Sequence, residues 1–132
     1  MTSIIMLLLV EDDPLITDIL EDALTDSGYE VVKTPNGTEA LKEIEADASR
    51  FRAVITDIQL GGKIDGWAVA QRGREIVTSM PVVYMSGDSG HEWASRGVPG
   101  SVMLVKPFAP AQLVTAVSTL ITDAEMRAPP SN

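Results

Sequence analysis

Short, unbroken apolar runs alternate along the chain with longer stretches whose apolar residues recur at helical spacing. The runs cover residues 4–10, 31–33, 53–56, 82–85 and 102–105. Apolar character without alternation suits strands covered on both faces, as in a parallel sheet. Between them, residues 14–27 place Leu15, Ile16, Ile19, Leu20, Ala23 and Leu24 on one stripe. Residues 110–122 do the same with Leu113, Ala116, Val117, Leu120 and Ile121. Pro14 and Pro110 suit first helical positions, and Gly28 suits a helix stop. Ala40, Leu41 and Ile44 mark a second helix, and residues 67–77 a third, weakened by Gly73 on its apolar side. Polar residues 88–95 mark a short fourth. Strand–helix units in succession predict an α/β domain: a doubly wound, five-stranded parallel sheet with helices on both faces, a three-layer sandwich. The domain is expected over residues 1–124, with residues 125–132 a frayed C-terminal tail.

Composition narrows the function. A chain of 132 residues fits one domain with a core that needs no staples. Cysteine is absent, which excludes disulfides, thiol catalysis and Cys-ligated metal centres. A net charge of −9 argues against direct nucleic acid binding, which needs a Lys/Arg surface, and favours metal cations or a basic partner. The run at 4–10 is too short to cross a bilayer and lacks the basic leader of a signal peptide. No membrane association is expected, and the location is read as cytoplasmic.

In open parallel sheets, ligands bind beyond the carboxyl ends of the strands, where the strand order reverses. Those ends here carry Glu11 and Asp12 after the first strand, Asp57 after the third, Ser86 after the fourth and Lys106 after the fifth. The stretch "VEDDP" (10–14) crowds acids together with no base nearby along the chain. Asp13, directly before Pro14, fits a helix N-cap. Crowded carboxylates cannot all stay ionised without a counter-charge. Mg²⁺ is the natural one, since it takes oxygen ligands and keeps positions for water or phosphate. Lys106 can pair with Asp57 or with a phosphoryl oxygen, and Ser86 offers a hydroxyl donor. These groups suit phosphoryl transfer, with Asp57 as nucleophile and an aspartyl phosphate as product.

The pieces "LLLVEDDP", "AVITDIQL" with "DGW" after it, "VVYMSG" and "LVKPF" jointly resemble the response-regulator receiver domain of two-component signalling. They span residues 3–122 in the family's order. The resemblance implies a flavodoxin-like receiver fold of the single-domain type. It implies Mg²⁺ bound by Glu11, Asp12, Asp57 and the backbone carbonyl of Gln59, with Asp57 the phospho-acceptor. Ser86 would be the switch hydroxyl and Lys106 the phosphate-binding lysine, and the Lys106–Pro107 peptide would be cis. The phosphoryl group would come from a histidine kinase or a histidine phosphotransfer protein. Nothing resembling an output domain follows residue 122, so output is expected through protein contact or onward phosphotransfer, by a monomer or weak dimer. At most the chain would catalyse its own phosphorylation and dephosphorylation.

Two departures stand out against that pattern. Met103 occupies the place of the usual aromatic switch residue, and Gly61–Gly62, with one extra residue, replaces a proline before "DG". They keep a rival reading alive, a pseudo-receiver that only binds partners. An aspartyl-phosphate phosphatase is another rival, but it wants a second acid two residues past the nucleophile, where this chain has Gln59. A flavin or dinucleotide binder lacks the glycine-rich loop after the first strand. His91 reads as solvated, Trp67 and Trp93 as packing or loop anchors, "GVPGS" (97–101) as a turn, and the methionines as core filler. Asp88, two residues past Ser86, is placed to influence attack of water on the phosphoryl group.

Overall fold

Each apolar run becomes a strand, and the strands assemble in parallel. The structure is a computed structural model that describes residues 4–127. In chain order the elements are β1 (Met6–Val10), α1 (Pro14–Asp26), β2 (Glu30–Thr34), α2 (Gly37–Asp47), β3 (Phe51–Asp57), α3 (Gly66–Ile76), β4 (Val82–Ser86), α4 (Trp93–Arg96), β5 (Val102–Val105) and α5 (Pro110–Arg127). The sheet order is β2-β1-β3-β4-β5, and every pairing is parallel.

Period-2 alternation along the strands feeds two separate cores. Leu8, Val10, Val54, Val82 and Tyr84 point to one face and pack with Ala40 and Ile44 of α2 and Trp67, Val69 and Ala70 of α3. Leu7, Leu9, Ala53, Ile55, Val83 and Met85 point to the other, against Leu20 and Leu24 of α1 and Leu113, Val117, Leu120 and Ile121 of α5. Each fully buried leucine in this arrangement stabilises the fold by about 1.5–3 kcal/mol.

Local chemistry sets the helix ends. Asp13 is extended and its Oδ1 accepts from the Leu15 amide at 2.9 Å, capping α1 ahead of Pro14. At the far end Gly28 adopts φ 98°, its N–H donates to the Thr25 carbonyl, and Tyr29 N–H donates to Leu24 O. That paired return is the Schellman stop, and the left-handed turn is why glycine sits there.

Three expectations need correction. On α1, Leu15 and Ile19 are 75% and 55% exposed, so the core-facing stripe is narrower than the spacing implied. The fourth helix is a 3₁₀ turn at Ser89–Glu92 followed by one turn of α4, which buries no residue and so has no apolar face to extend it. α5 continues past Thr122 to Arg127, into the stretch read as tail, where half-buried Ala124 and a Glu125–Arg52 ion pair hold its last turn. Tail residues 128–132 lie outside the described residues. Among the described residues, no helix is long and apolar enough to cross a membrane.

Candidate functional site

The strand order reverses between β1 and β3, and this opens a crevice at their carboxyl ends. Glu11 and Asp12 follow β1, Asp57 ends β3, Ser86 ends β4 and Lys106 follows β5. Residues scattered over the chain therefore meet along one edge of the sheet.

Lys106 is the centre of the arrangement. Its Nζ lies 2.8 Å from Glu11 Oε1 and 2.8 Å from Asp57 Oδ2. Its backbone N–H donates to the Ser86 carbonyl at 2.8 Å, which registers the end of β5 on β4, and the Lys106–Pro107 peptide is cis. Glu11 is 3% exposed, and its Oε2 accepts from the Asp12 amide at 2.9 Å. Asp57 is buried, with Oδ1 accepting from the Gln59 amide at 3.2 Å. Asp12 is exposed, and carboxylate oxygens of Glu11, Asp12 and Asp57 lie within 4.8 Å of one another.

One ammonium cannot balance the charge of two buried carboxylates. Burial pushes the Glu11 carboxyl up to about 7; the Lys106 hydrogen bond opposes this, and the Asp57 charge reinforces it. For Lys106, burial works against the charged form, but hydrogen bonds to Asp57 and Glu11 and their negative charges outweigh it, so its pKa is raised. A salt bridge would ordinarily lower its acid. Glu11 moves the other way because the cost of burying its charge outweighs the pull of the lysine, with the Asp57 charge adding to that cost. Chemically, the cluster can take an oxygen-loving cation and present a carboxylate beside a lysine.

Ser86 is 2% exposed, and its Oγ accepts from the Asp88 amide at 3.0 Å. Met103 is half-buried and lies opposite Tyr84 across the β4–β5 pair. Tyr84, which sequence reasoning did not single out, is fully buried with its ring centroid 4.8 Å from that of Trp67. Its hydroxyl accepts from the Val98 amide at 3.1 Å. Trp93 Nε1 donates to Ser101 Oγ at 2.9 Å, which anchors the turn before β5. His91 and Asp88 are exposed.

Gly66 is a further residue whose importance the sequence reading passed over. Its N–H donates to the Ile58 carbonyl at 2.9 Å, and a Cβ at this position would fall 2.1 Å from the Asp57 carbonyl oxygen. The "DG" pair thus works as a unit: Asp65 caps α3 through the Ala68 amide at 3.0 Å, and Gly66 lets that helix start against the back of Asp57. The signal was the glycine itself, at the start of a helix.

The profile of the response regulator receiver domain matches residues 7–118. The chain belongs to the response regulator receiver family. It is a receiver module of two-component signal transduction. This receiver is similar to a response regulator receiver protein from Sinorhizobium medicae WSM419: TM-score 0.89, 41% identity, 92% of this chain and 98% of that one covered. It is 28% identical over 116 residues to the uncharacterized transcriptional regulatory protein YbdJ of Bacillus subtilis, covering 87% of this chain and 50% of YbdJ. The receiver spans about half the length of the curated relatives it matches. It shares its fold with the receiver domain of the sensor histidine kinase PA1611 of Pseudomonas aeruginosa, whose structure has a magnesium ion coordinated in the active site cleft. There the TM-score is 0.77 at 23% identity, with 91% of this chain and 99% of that one covered.

Proposed function

We propose that this receiver takes a phosphoryl group from a phosphohistidine onto Asp57, with Mg²⁺ held by Glu11, Asp12, Asp57 and the Gln59 carbonyl. The observation that carries the reading is Lys106 shared at 2.8 Å between Glu11 and Asp57, with the Asp12 carboxylate alongside. An all-oxygen donor set with a charge deficit suits Mg²⁺, and the magnesium in the PA1611 receiver supports it. When bound, the cation neutralises charge on the acids and on the phosphoryl oxygens.

Asp57 supplies the nucleophile: a carboxylate oxygen attacks phosphorus, a P–O bond forms, and the P–N bond breaks with its electron pair left on the donor imidazole. Lys106 moves its ammonium from the carboxylates to a phosphoryl oxygen, and the Ser86 hydroxyl donates to another. The phosphate adds about −1.5 to −2 charge at neutral pH. That charge biases a pre-existing equilibrium between two conformations through Ser86 and Lys106. With Met103 in place of an aromatic ring, output does not use ring rotation at that position. Asp88 influences hydrolysis of the aspartyl phosphate, a role that unchanged dephosphorylation in Asp88→Ala would remove.

The donor is a protein, a histidine kinase or histidine phosphotransfer protein. Its support is the apolar surface beside Lys106, where exposed Ile19 of α1 joins Ile16, Pro107 and Phe108 around a groove of about 330 Å³. Output passes by protein contact or onward phosphotransfer in the cytoplasm, and the charge of −9 disfavours direct contact with nucleic acid. Incubation with a phosphorylated histidine phosphotransfer protein, followed by intact-mass spectrometry, is expected to show one added phosphoryl group that a chelator prevents. No modification with Mg²⁺ present, or equal modification of Asp57→Ala, overturns the assignment.

A further inference from the structure

The loop joining β3 to α3 carries Gln59 past the site, yet its middle holds on to little. A Cβ at Gly61 or Gly62 would meet nothing within 4 Å, and Gly62 has φ 101°. Residues 61–63 are exposed. Fixing such a segment costs roughly 1–2 kcal/mol of backbone entropy per residue. Contacts at the ends of the loop can offset that cost.

Two glycine notches do so, and only one belongs to the loop's own helix. Gly66 presses against Asp57, as described above. The second notch is on α2. A Cβ on Gly37 would lie 2.5 Å from the Ile64 carbonyl oxygen, 2.6 Å from Ile64 Cγ2 and 2.8 Å from Ile64 Cβ. Gly37 is buried in the first turn of α2, which is held by Asn36 Oδ1 accepting from the Glu39 amide at 2.9 Å. Ile64 packs on the core formed by α2 and α3, with Leu60 of the same loop buried in it. Only a hydrogen atom at position 37 permits this approach, so backbone and side chain of Ile64 are both gripped.

We propose that Gly37 and Ile64 form a clasp that orders the β3–α3 loop ahead of cation binding, making them positioning residues for Mg²⁺ although neither is a ligand. The inference rests on the metal site proposed above. With Asp57 fixed at one end and Ile64 at the other, the Gln59 backbone is confined before the cation arrives, so binding does not carry the full ordering cost. The clasp also joins α2, which packs beside α3 on the same face of the sheet, to the phosphorylation site proposed above.

Mg²⁺ titration of the whole chain by calorimetry tests this, using Ile64→Ala, Ile64→Val, Gly37→Ala and the Gly37→Ala/Ile64→Ala double variant. Leu120→Ala, in the core on the opposite face, serves as a control for lost stability. Ile64→Ala and Gly37→Ala are each expected to weaken Mg²⁺ binding about tenfold, in the range for residues that orient ligands from behind. The double variant falls short of the product of the two, because both break one contact. Ile64→Val and Leu120→Ala bind as wild type does. In the metal-free protein, amide exchange at residues 61–63 quickens in Ile64→Ala and Gly37→Ala but not in Leu120→Ala. Unchanged affinity and exchange in both clasp variants, or losses that merely track stability, overturn the clasp. Failure of wild type to bind Mg²⁺ overturns the metal site instead, and the exchange comparison then still decides whether the clasp orders the loop.

Discussion

Glu11 and Asp57 share a single lysine, and burial, reinforced by the Asp57 charge, raises the pKa of Glu11 in spite of it. A glutamate in the unfolded chain releases its proton near 4.5, whereas burial holds that of Glu11 to about 7. Between those values the folded chain binds the extra proton, so this group lowers stability as pH rises through the window, and the full penalty persists above it. In a chelating buffer, the urea midpoint of wild type is expected to fall between pH 4.5 and 7 relative to Glu11→Gln, whose amide cannot titrate. Parallel curves would contradict that origin. If Glu11 holds Mg²⁺ as proposed, the acid must be deprotonated to do so, and the apparent affinity for Mg²⁺ is expected to rise across the same range. The residues of this cluster were legible because each follows an apolar run at a strand end. The second partner of Lys106 was not, since Glu11 stands 95 residues away and only the sheet order brings the two together.

Two glycines of α3 separate close approach from mere tolerance. At Gly66 a Cβ would overlap the Asp57 carbonyl, and Gly66→Ala is expected to cost about 3 kcal/mol, the upper range for overpacking, and to depress phosphorylation. At Gly73 a Cβ would sit 3.9 Å from Met80 Cγ and Val54 Cγ2, an ordinary contact in a helix interior. Gly73→Ala therefore stabilises the fold by about 0.4–1 kcal/mol, and chemical denaturation of the pair checks both signs. Helix periodicity located the long helices well. It overstated the buried stripe of α1, because an apolar residue at the right spacing can equally serve an exposed surface beside a site, as Ile19 does. Ser89–Glu92 and α4, marked in the sequence by polar residues rather than by a period, are held by Trp93 on Ser101 and by Arg96 on Asp65.

The whole molecule carries a charge of −9, with acids gathered at the carboxyl edge of the sheet. A cation that binds only the folded chain stabilises it by mass action, by about 2.7 kcal/mol at a free concentration one hundredfold above its dissociation constant. Thermal unfolding is expected to shift upward with Mg²⁺ well beyond the effect of a monovalent salt at equal ionic strength, and Asp12→Ala should lose the difference. Equal shifts with both salts would reduce the effect to general screening. Fold class followed from the alternation of runs and helices, while the loop between β3 and α3 depends on notches that only packing reveals. Whether Asp57 takes the phosphoryl group, as proposed, can be read by reduction with borohydride, which converts an aspartyl phosphate to homoserine. After phosphorylation with acetyl phosphate and Mg²⁺, peptide sequencing by mass spectrometry is predicted to find homoserine at position 57 and aspartate at positions 12 and 13. Homoserine at another acid, or at none, would contradict it.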